Sequence, residues 1–299
     1  MNSEIKYVAT VGFFDGVHAG HRFLIEELKT LSLTKDSQSL IVTFNNHPRK
    51  VLNSDFQPQL LNTLAEKIKL LESTGVDKCI VLDFSVQMAQ LSAFDFLKTV
   101  LKEQLNVKAL LVGHDHRFGH NRTDGFKEYQ KYGQQLGMEV IQANRFDTPD
   151  LQHVSSSQIR LALQRGDIQT ANKILAYPYS ITGNVISGFK LGNTIGFPTA
   201  NLQIDDNDKL IPQNAVYATK VYVHNRIYKG MMNIGTRPTL TSENKVSLEV
   251  NIFDFNQDIY NETIRVEFIG KIRDERKFEN LDKLVEQLNK DKAFVLHNF

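Results

Sequence analysis

Tyr7-Val8-Ala9-Thr10-Val11-Gly12-Phe13-Phe14-Asp15-Gly16-Val17-His18-Ala19-Gly20-His21 decides how the first half of the chain is read. A short apolar run leads straight into a glycine-rich turn, and a helical pattern over residues 19–33 follows. That is the start of a βα unit, and the alternation continues. Strand patterns at 39–44, 78–83, 107–112 and 138–143 are separated by helical patterns at 63–73, 93–105 and 124–136. Leu64, Ile68 and Leu71 stand at the spacing of one buried helix face. Strands alternating with such helices predict a mostly parallel α/β sheet, with ligands beyond the carboxyl ends of the strands. Residues 12–21 and 113–119 fall at such ends.

The pattern then changes. Two more helical stretches, 156–165 and 167–176, lead to Tyr177-Pro178-Tyr179, where the helical regime stops. Short β-rich runs follow at 181–186, 216–223, 227–232, 246–253 and 263–268. Ser247, Glu249 and Asn251 alternate with Leu248, Val250 and Ile252, the period of a half-buried strand. Regularly spaced short strands predict a small antiparallel β-barrel, with a helix near 280–289 over one end. The expected domains are residues 1–179 and 180–299.

Composition narrows the field. With 299 residues, 41% hydrophobic and 23% charged, the chain can bury a core, which excludes disordered and collagen-like classes. Basic and acidic side chains number 35 and 34, so the net charge of +1 gives no electrostatic footprint for nucleic acid or anionic membrane. The single cysteine, Cys79, excludes an intramolecular disulfide and a cysteine-built zinc site, and reads as a core thiol in a strand. No stretch has the apolar length of a membrane span, and the first residues lack a signal-peptide layout. A cytoplasmic location is the expectation.

Three segments carry chemistry. Glycines 12, 16 and 20 permit close approach of a ligand to the backbone, and His18 and His21 at a helix start can face bound phosphate. The plainer alternative is a βα turn with two incidental histidines. Val154-Ser155-Ser156-Ser157-Gln158-Ile159-Arg160 reads either as an ordinary helix cap or as hydroxyls, helix dipole and arginine gathered for phosphate. In the second half, Gly188-Phe189-Lys190-Leu191-Gly192-Asn193-Thr194-Ile195-Gly196-Phe197-Pro198-Thr199-Ala200-Asn201-Leu202 offers exposed amides beside a hydroxyl and an amide side chain. Thr199 can complete a Mg²⁺ sphere otherwise filled by phosphates and water, or the run is simply a barrel turn.

Together with Thr43-Phe44-Asn45-Asn46-His47-Pro48 and Val112-Gly113-His114-Asp115-His116-Arg117-Phe118-Gly119, the first half resembles the adenylyltransferase module of prokaryotic bifunctional riboflavin kinase/FAD synthetases. The Gly-Phe-Pro-Thr-Ala-Asn run at 196–201 resembles the riboflavin kinase signature, and residues 233–239, 248–255 and 271–278 continue that likeness. The resemblance implies a Rossmann-like nucleotidyltransferase domain followed by a riboflavin-kinase-like barrel. It implies an enzyme that phosphorylates riboflavin with ATP to FMN and ADP, then adenylylates FMN to FAD and pyrophosphate, with Mg²⁺ accompanying ATP. No nucleic acid, membrane or obligate protein partner is implied.

By the same resemblance, His18 and His21 stabilise charge at the transferring phosphorus, while Gly12, Phe14, Asp15, Gly16, Asp115, Ser156, Ser157 and Arg160 serve the nucleotide. In the second module, Gly188, Lys190, Gly196 and Thr199 serve ATP, and Thr199 and Asn201 serve the metal. Asn201, Asn233, Glu249 and Arg273 would meet the flavin, Glu249 as general base; by pattern alone, such a glutamate is ordinarily a solvated strand residue. The chain departs from the family at three positions: His116 replaces an aromatic, Asn46 a proline and Asn193 an arginine whose role Lys190 could take. Three rival readings stand beside this one. The chain could retain one activity only, or bind flavin without turnover. It could also share the His-x-Gly-His of class I aminoacyl-tRNA synthetases, although it lacks their Lys-Met-Ser-Lys-Ser-type loop.

Overall fold

The βα alternation produces, in the computed structural model, a five-stranded parallel sheet ordered β3-β2-β1-β4-β5. The structure describes residues 5–52, 55, 59–114, 116–147, 154–188, 191–237 and 245–299. Asp115 and Lys190 therefore lie outside the described residues. The strands are β1 (Tyr7–Val11), β2 (Gln38–Phe44), β3 (Lys78–Leu82), β4 (Val107–Val112) and β5 (Glu139–Gln142). Successive residues serve opposite faces, as the pleat requires. Ala9, Val11, Leu40, Val42, Leu110 and Val112 face one apolar cluster. Val8, Ile41, Ala109 and Leu111 face the other, with Ile25 and Leu28.

Strand β1 pairs with β2 on one side and β4 on the other, so the connections diverge at its carboxyl end. That crevice is where open α/β sheets hold ligands. The helices of this unit are α1 (Ala19–Thr34), α2 (Pro48–Leu52), α3 (Leu64–Glu72), α4 (Val86–Ala89), α5 (Ala93–Asp95) and α6 (Phe126–Leu136). α5 runs on as a π-helical stretch, Phe96–Gln104, that buries Phe96, Leu97, Val100 and Leu101. Thr63 and Glu66 form a capping box at α3. Leu71 is fully buried on α3, but beside it lies Lys67, only 3% exposed, where the apolar spacing gave no sign of a charge. Cys79 is half-buried against the second cluster, and burial pushes its thiol up to about 11, which makes it inert at neutral pH.

Six antiparallel strands close a barrel in the order β10-β7-β6-β11-β8-β9. These are β6 (Ser180–Ile186), β7 (Ala200–Gln203), β8 (Ala215–Val223), β9 (Arg226–Arg237), β10 (Lys245–Ile252) and β11 (Thr263–Asp274). β7 grows directly out of the Pro198-Thr199 turn, after the short α9 (Leu191–Thr194). The final helix, α10 (Leu281–Asn298), is longer than its sequence pattern suggests. The reason is Asp291: it sits in a charged stretch, yet it is buried and takes an ion pair from Arg273.

The chain divides into two compact units after Ser156. Helices α7 (Ser156–Gln164) and α8 (Ile168–Leu175) thus fall largely or wholly in the unit that contains the barrel. Gln213 N donates to Leu163 O at 3.0 Å, and Asn172 Nδ2 to Phe268 O at 2.9 Å. Tyr179 N returns to Asn172 Oδ1 at 2.7 Å.

Candidate active sites

In the first unit, the segment after β1 is built as a tight cradle. Gly16 has φ +84°, and Phe14 and Val17 also take positive φ, at +55° and +36°. A β-branched residue in that region stores roughly 1–3 kcal/mol of strain, which the surroundings must hold in place. They do so at several points. Asp15 is buried and accepts from Leu61 N at 2.9 Å. Ser156 Oγ donates to Asp15 O at 2.8 Å, which brings the start of α7 against the loop. Lys67 Nζ donates to Phe13 O at 3.1 Å and Phe44 O at 2.8 Å and lies 3.9 Å from the centre of the Phe13 ring.

His18 is the N-cap of α1, its Nδ1 accepting from His21 N at 3.3 Å. The two rings stack with centroids 3.6 Å apart, and Phe14 meets His21 edge-on at 5.2 Å. Burial pushes His18 down to about 4. Burial, followed by the fields of His18 and His116, holds His21 well below 6.5. The pair is therefore neutral at pH 7, with N–H groups at a helix N-terminus. Neutral donors and an open dipole are suited to a polyanion, whose charge would in turn favour protonation. Nδ1 of His21 and Nε2 of His116 are sealed from solvent and have no hydrogen-bond partner among the described residues.

Next to this cradle is a cavity of about 120 Å³ lined by Phe13, Phe44, Phe84, Met88, Phe118 and His116, with Arg117 and Arg122 also at its wall. Phe44 and Phe84 meet edge-on at 5.2 Å, and Phe118 stacks on Tyr129 at 4.2 Å. Sequence reasoning assigned no flavin site to this half. The signal was present only in scattered phenylalanines that the sheet topology gathers. Of the expected nucleotide residues, Gly12, Phe14, Asp15, Gly16, His18, His21 and Ser156 come together around the loop. Ser157 and Arg160 follow in the first turns of α7, in the second unit.

In the barrel, strand register creates the site. Glu249 on β10 stands opposite Asn201 of β7 on one side and Asn233 of β9 on the other. Residues directly opposite in antiparallel strands share a face, so the three form a row. Glu249 and Asn233 of this row line a cavity of about 650 Å³ that also includes Thr199, Arg273 and Phe278, with Leu281 and Leu284 of α10 across it. Glu249 is half-buried there rather than solvated, and Ser247 Oγ donates to its Oε1 at 2.8 Å. Arg273 lines the same cavity, with Nε on Asp291 at 2.9 Å and Nη1 on the Asp274 carbonyl at 3.1 Å.

A second cavity, about 430 Å³, includes Asn193, Pro198, Thr199, Asp258 and Tyr260, so Thr199 borders both. Asn251 Nδ2 donates to Pro198 O at 2.6 Å and fixes the turn that carries Thr199. A Cβ at Gly188 would lie 2.1 Å from Asn201 Nδ2, so any other residue there would push that amide aside. Gly196 turns the chain with φ +78° ahead of Pro198. Among the described residues, no group of three or more His, Cys, Asp or Glu could hold a metal ion, and no helix is long and apolar enough to cross a membrane.

An anion cradle at the switch point of a parallel sheet, followed by a barrel whose polar row borders a cavity that meets a second one at Thr199, defines a two-site nucleotide-dependent transferase. Residues 1–158 match the FAD synthetase family and residues 175–299 the riboflavin kinase family. The bifunctional riboflavin kinase/FMN adenylyltransferase of Bacillus subtilis is 37% identical over 99% of this chain and 93% of its own length. That of Haemophilus influenzae is 38% identical over 94% of this chain and 91% of its own length. A crystal structure of a macrolide-efflux protein from Streptococcus pneumoniae superposes with a TM-score of 0.90 at 32% identity, covering 100% of this chain and 96% of that one. The chain belongs to the bifunctional riboflavin kinase/FMN adenylyltransferase family. It is a transferase of flavin biosynthesis, with kinase and nucleotidyltransferase domains that take riboflavin to FMN and FMN to FAD.

Proposed function

We propose that the barrel row performs the phosphorylation and the β1–α1 cradle the adenylylation, with residues 1–179 serving FAD formation and 180–299 FMN formation. The observation that carries this is the position of Glu249 between Asn201 and Asn233 at the wall of a cavity that meets a second one at Thr199. Riboflavin occupies the larger cavity and ATP the other. Glu249 accepts the proton of the 5′-hydroxyl as its oxygen bonds to the γ-phosphorus, and the bond to the departing ADP breaks. Asn201, Asn233 and Arg273 orient the flavin, while Gly188, Lys190, Gly196 and Thr199 serve the nucleotide.

Hard oxygen donors suit Mg²⁺, and the Thr199 hydroxyl and the Asn201 amide oxygen, the latter in the space that Gly188 leaves, supply them. The ion neutralises phosphate charge when ATP is bound.

In the first unit, the edge of the flavin ring enters the aromatic cavity. An oxygen of FMN's phosphate bonds to the α-phosphorus of ATP, and pyrophosphate leaves. His18 and His21 donate to the phosphates, and Ser156, Ser157 and Arg160 are assigned to the pyrophosphate end. Asp15, Gly12, Gly16 and Phe14 shape the cradle, and Asp115 joins the nucleotide residues by resemblance. Positioning and charge stabilisation suffice for such transfer, so no covalent enzyme intermediate is invoked. The reading includes a cytoplasmic location and no nucleic-acid, membrane or obligate protein partner.

Product chromatography tests the split. Glu249→Gln keeps size and hydrogen bonding but loses the base, so riboflavin phosphorylation should fall about 100-fold or more while supplied FMN is still converted to FAD. His21→Ala should do the reverse. Equal loss of both activities in a folded variant would overturn the two-site assignment.

A further inference from the structure

We propose that His116 hydrogen-bonds the phosphate of the flavin nucleotide through Nε2, and so acts as a third imidazole of the adenylylation site rather than as an aromatic wall. The proposal rests on the aromatic cavity being the flavin site.

Three observations converge on it. His116 Nε2 is closed off from solvent and has no hydrogen-bond partner among the described residues, although the ring forms part of a cavity wall. A sealed, unpaired polar nitrogen is destabilising, and a bound partner relieves it. The ring stacks against Phe118 at 6.1 Å and 30°, as the family's aromatic residue could. It is also close enough to His21 to disfavour that residue's protonation.

His116 therefore stands where the apolar cavity gives way to the phosphate cradle. Charge decides which part of the ligand it meets. Arg122 also lines the cavity, and burial, followed by the Arg122 field, brings His116 down to about 4. A neutral imidazole beside a guanidinium and two further imidazoles has no anion to answer among these groups. The FMN phosphate is the anion that the reaction places there. Held at one oxygen by Nε2–H, it is oriented with another oxygen toward the α-phosphorus. A phenylalanine would leave that oxygen without the bond, which makes His116 a residue that positions the flavin nucleotide.

Steady-state adenylylation by the full-length enzyme tests this, with FMN and ATP varied separately. His116→Phe keeps the stacking surface and deletes the nitrogen. Its KM for FMN should rise about tenfold or more, the loss expected for one hydrogen bond to a charged group, while the KM for ATP and riboflavin phosphorylation stay as in wild type. His116→Gln restores a donor near the Nε2 position and should recover most of the loss. A change below about twofold in His116→Phe would overturn the proposal, as would equal impairment of the Phe and Gln variants.

Met88→Trp tests the cavity itself by filling it. If it abolishes FMN turnover while His116→Phe does nothing, the flavin site stands and the phosphate contact falls. If Met88→Trp leaves the KM for FMN unchanged, the aromatic cavity is not the flavin site. In that case the phosphate contact, which rests on that site, falls with it.

Discussion

His18 does two jobs with one ring. Its Nδ1 caps α1 by accepting from His21 N, so the ring must be unprotonated at that atom for the helix to start where it does. Protonation removes the acceptor and places a positive charge at a helix N-terminus, where the dipole opposes it. The direction of the pH effect follows. His18 and His116 titrate at about 4 in the folded chain against 6.5 for an unperturbed histidine. Between those values the unfolded chain binds more protons, so stability is fully present above about 6.5 and is lost as pH falls through about 4. Each residue contributes no more than roughly 3 kcal/mol to that loss. The urea midpoint should therefore drop between pH 7 and pH 4, and His116→Phe should make the drop shallower. An unchanged slope would show that the ring titrates normally in the folded chain.

At the scale of elements, α10 is tied to the barrel by one buried charge. Asp291 is 2% exposed and receives Arg273 Nε at 2.9 Å and Gln287 Nε2 at 2.7 Å. Breaking a buried pair strands the remaining ion, at a cost of about 3–5 kcal/mol. Asp291→Ala should lower the thermal midpoint and weaken riboflavin phosphorylation, because Arg273 and α10 both wall the cavity beside Glu249. Adenylylation of supplied FMN should persist at temperatures where the variant remains folded. If the midpoint is unmoved, the pair contributes nothing net.

The α7–α8 segment is the other tie. A fragment of residues 157–299 should be more heat-stable than one of 180–299, since the shorter piece loses the Asn172–Phe268 and Leu163–Gln213 bonds. Equal melting points would show these helices to be dispensable to the barrel.

These elements also show why the sequence is legible in some places and opaque in others. β1, β2 and β4 are mostly apolar, β-rich runs and are readable as such. β7 is not, because Pro198, Thr199 and Asn201 read as turn and chemistry rather than as strand. Lys67 and Asp291 are buried charges whose partners are backbone carbonyls and a distant arginine, and periodicity carries no information about either. The aromatic cavity of the first unit is built from phenylalanines far apart in the chain. The candidate motifs at 12–21 and 196–201, by contrast, are local in sequence, so His18, His21 and Thr199 could be singled out before any tertiary contact was known, whereas Glu249 came from family resemblance and not from its strand pattern.

At the scale of the whole molecule, the two units differ in how their sheets are finished. The α/β sheet has open edges at β3 and β5, and its neighbouring strands have arrived by residue 142. The barrel has no such early completion. Its first strand, β6, pairs with its last, β11, in a register that sets Ser180 opposite Glu267 and Thr182 opposite Arg265. During synthesis β6 must wait, unpaired on that side, until nearly the whole chain has left the ribosome. Long-range closure of this kind is slow and leaves strand edges exposed in the interval. A chain stopped before Thr263 should therefore show no riboflavin phosphorylation, and its C-terminal part should be rapidly proteolysed. The order of birth thus inverts the order of chemistry: the unit that consumes FMN is ready before the unit that makes it.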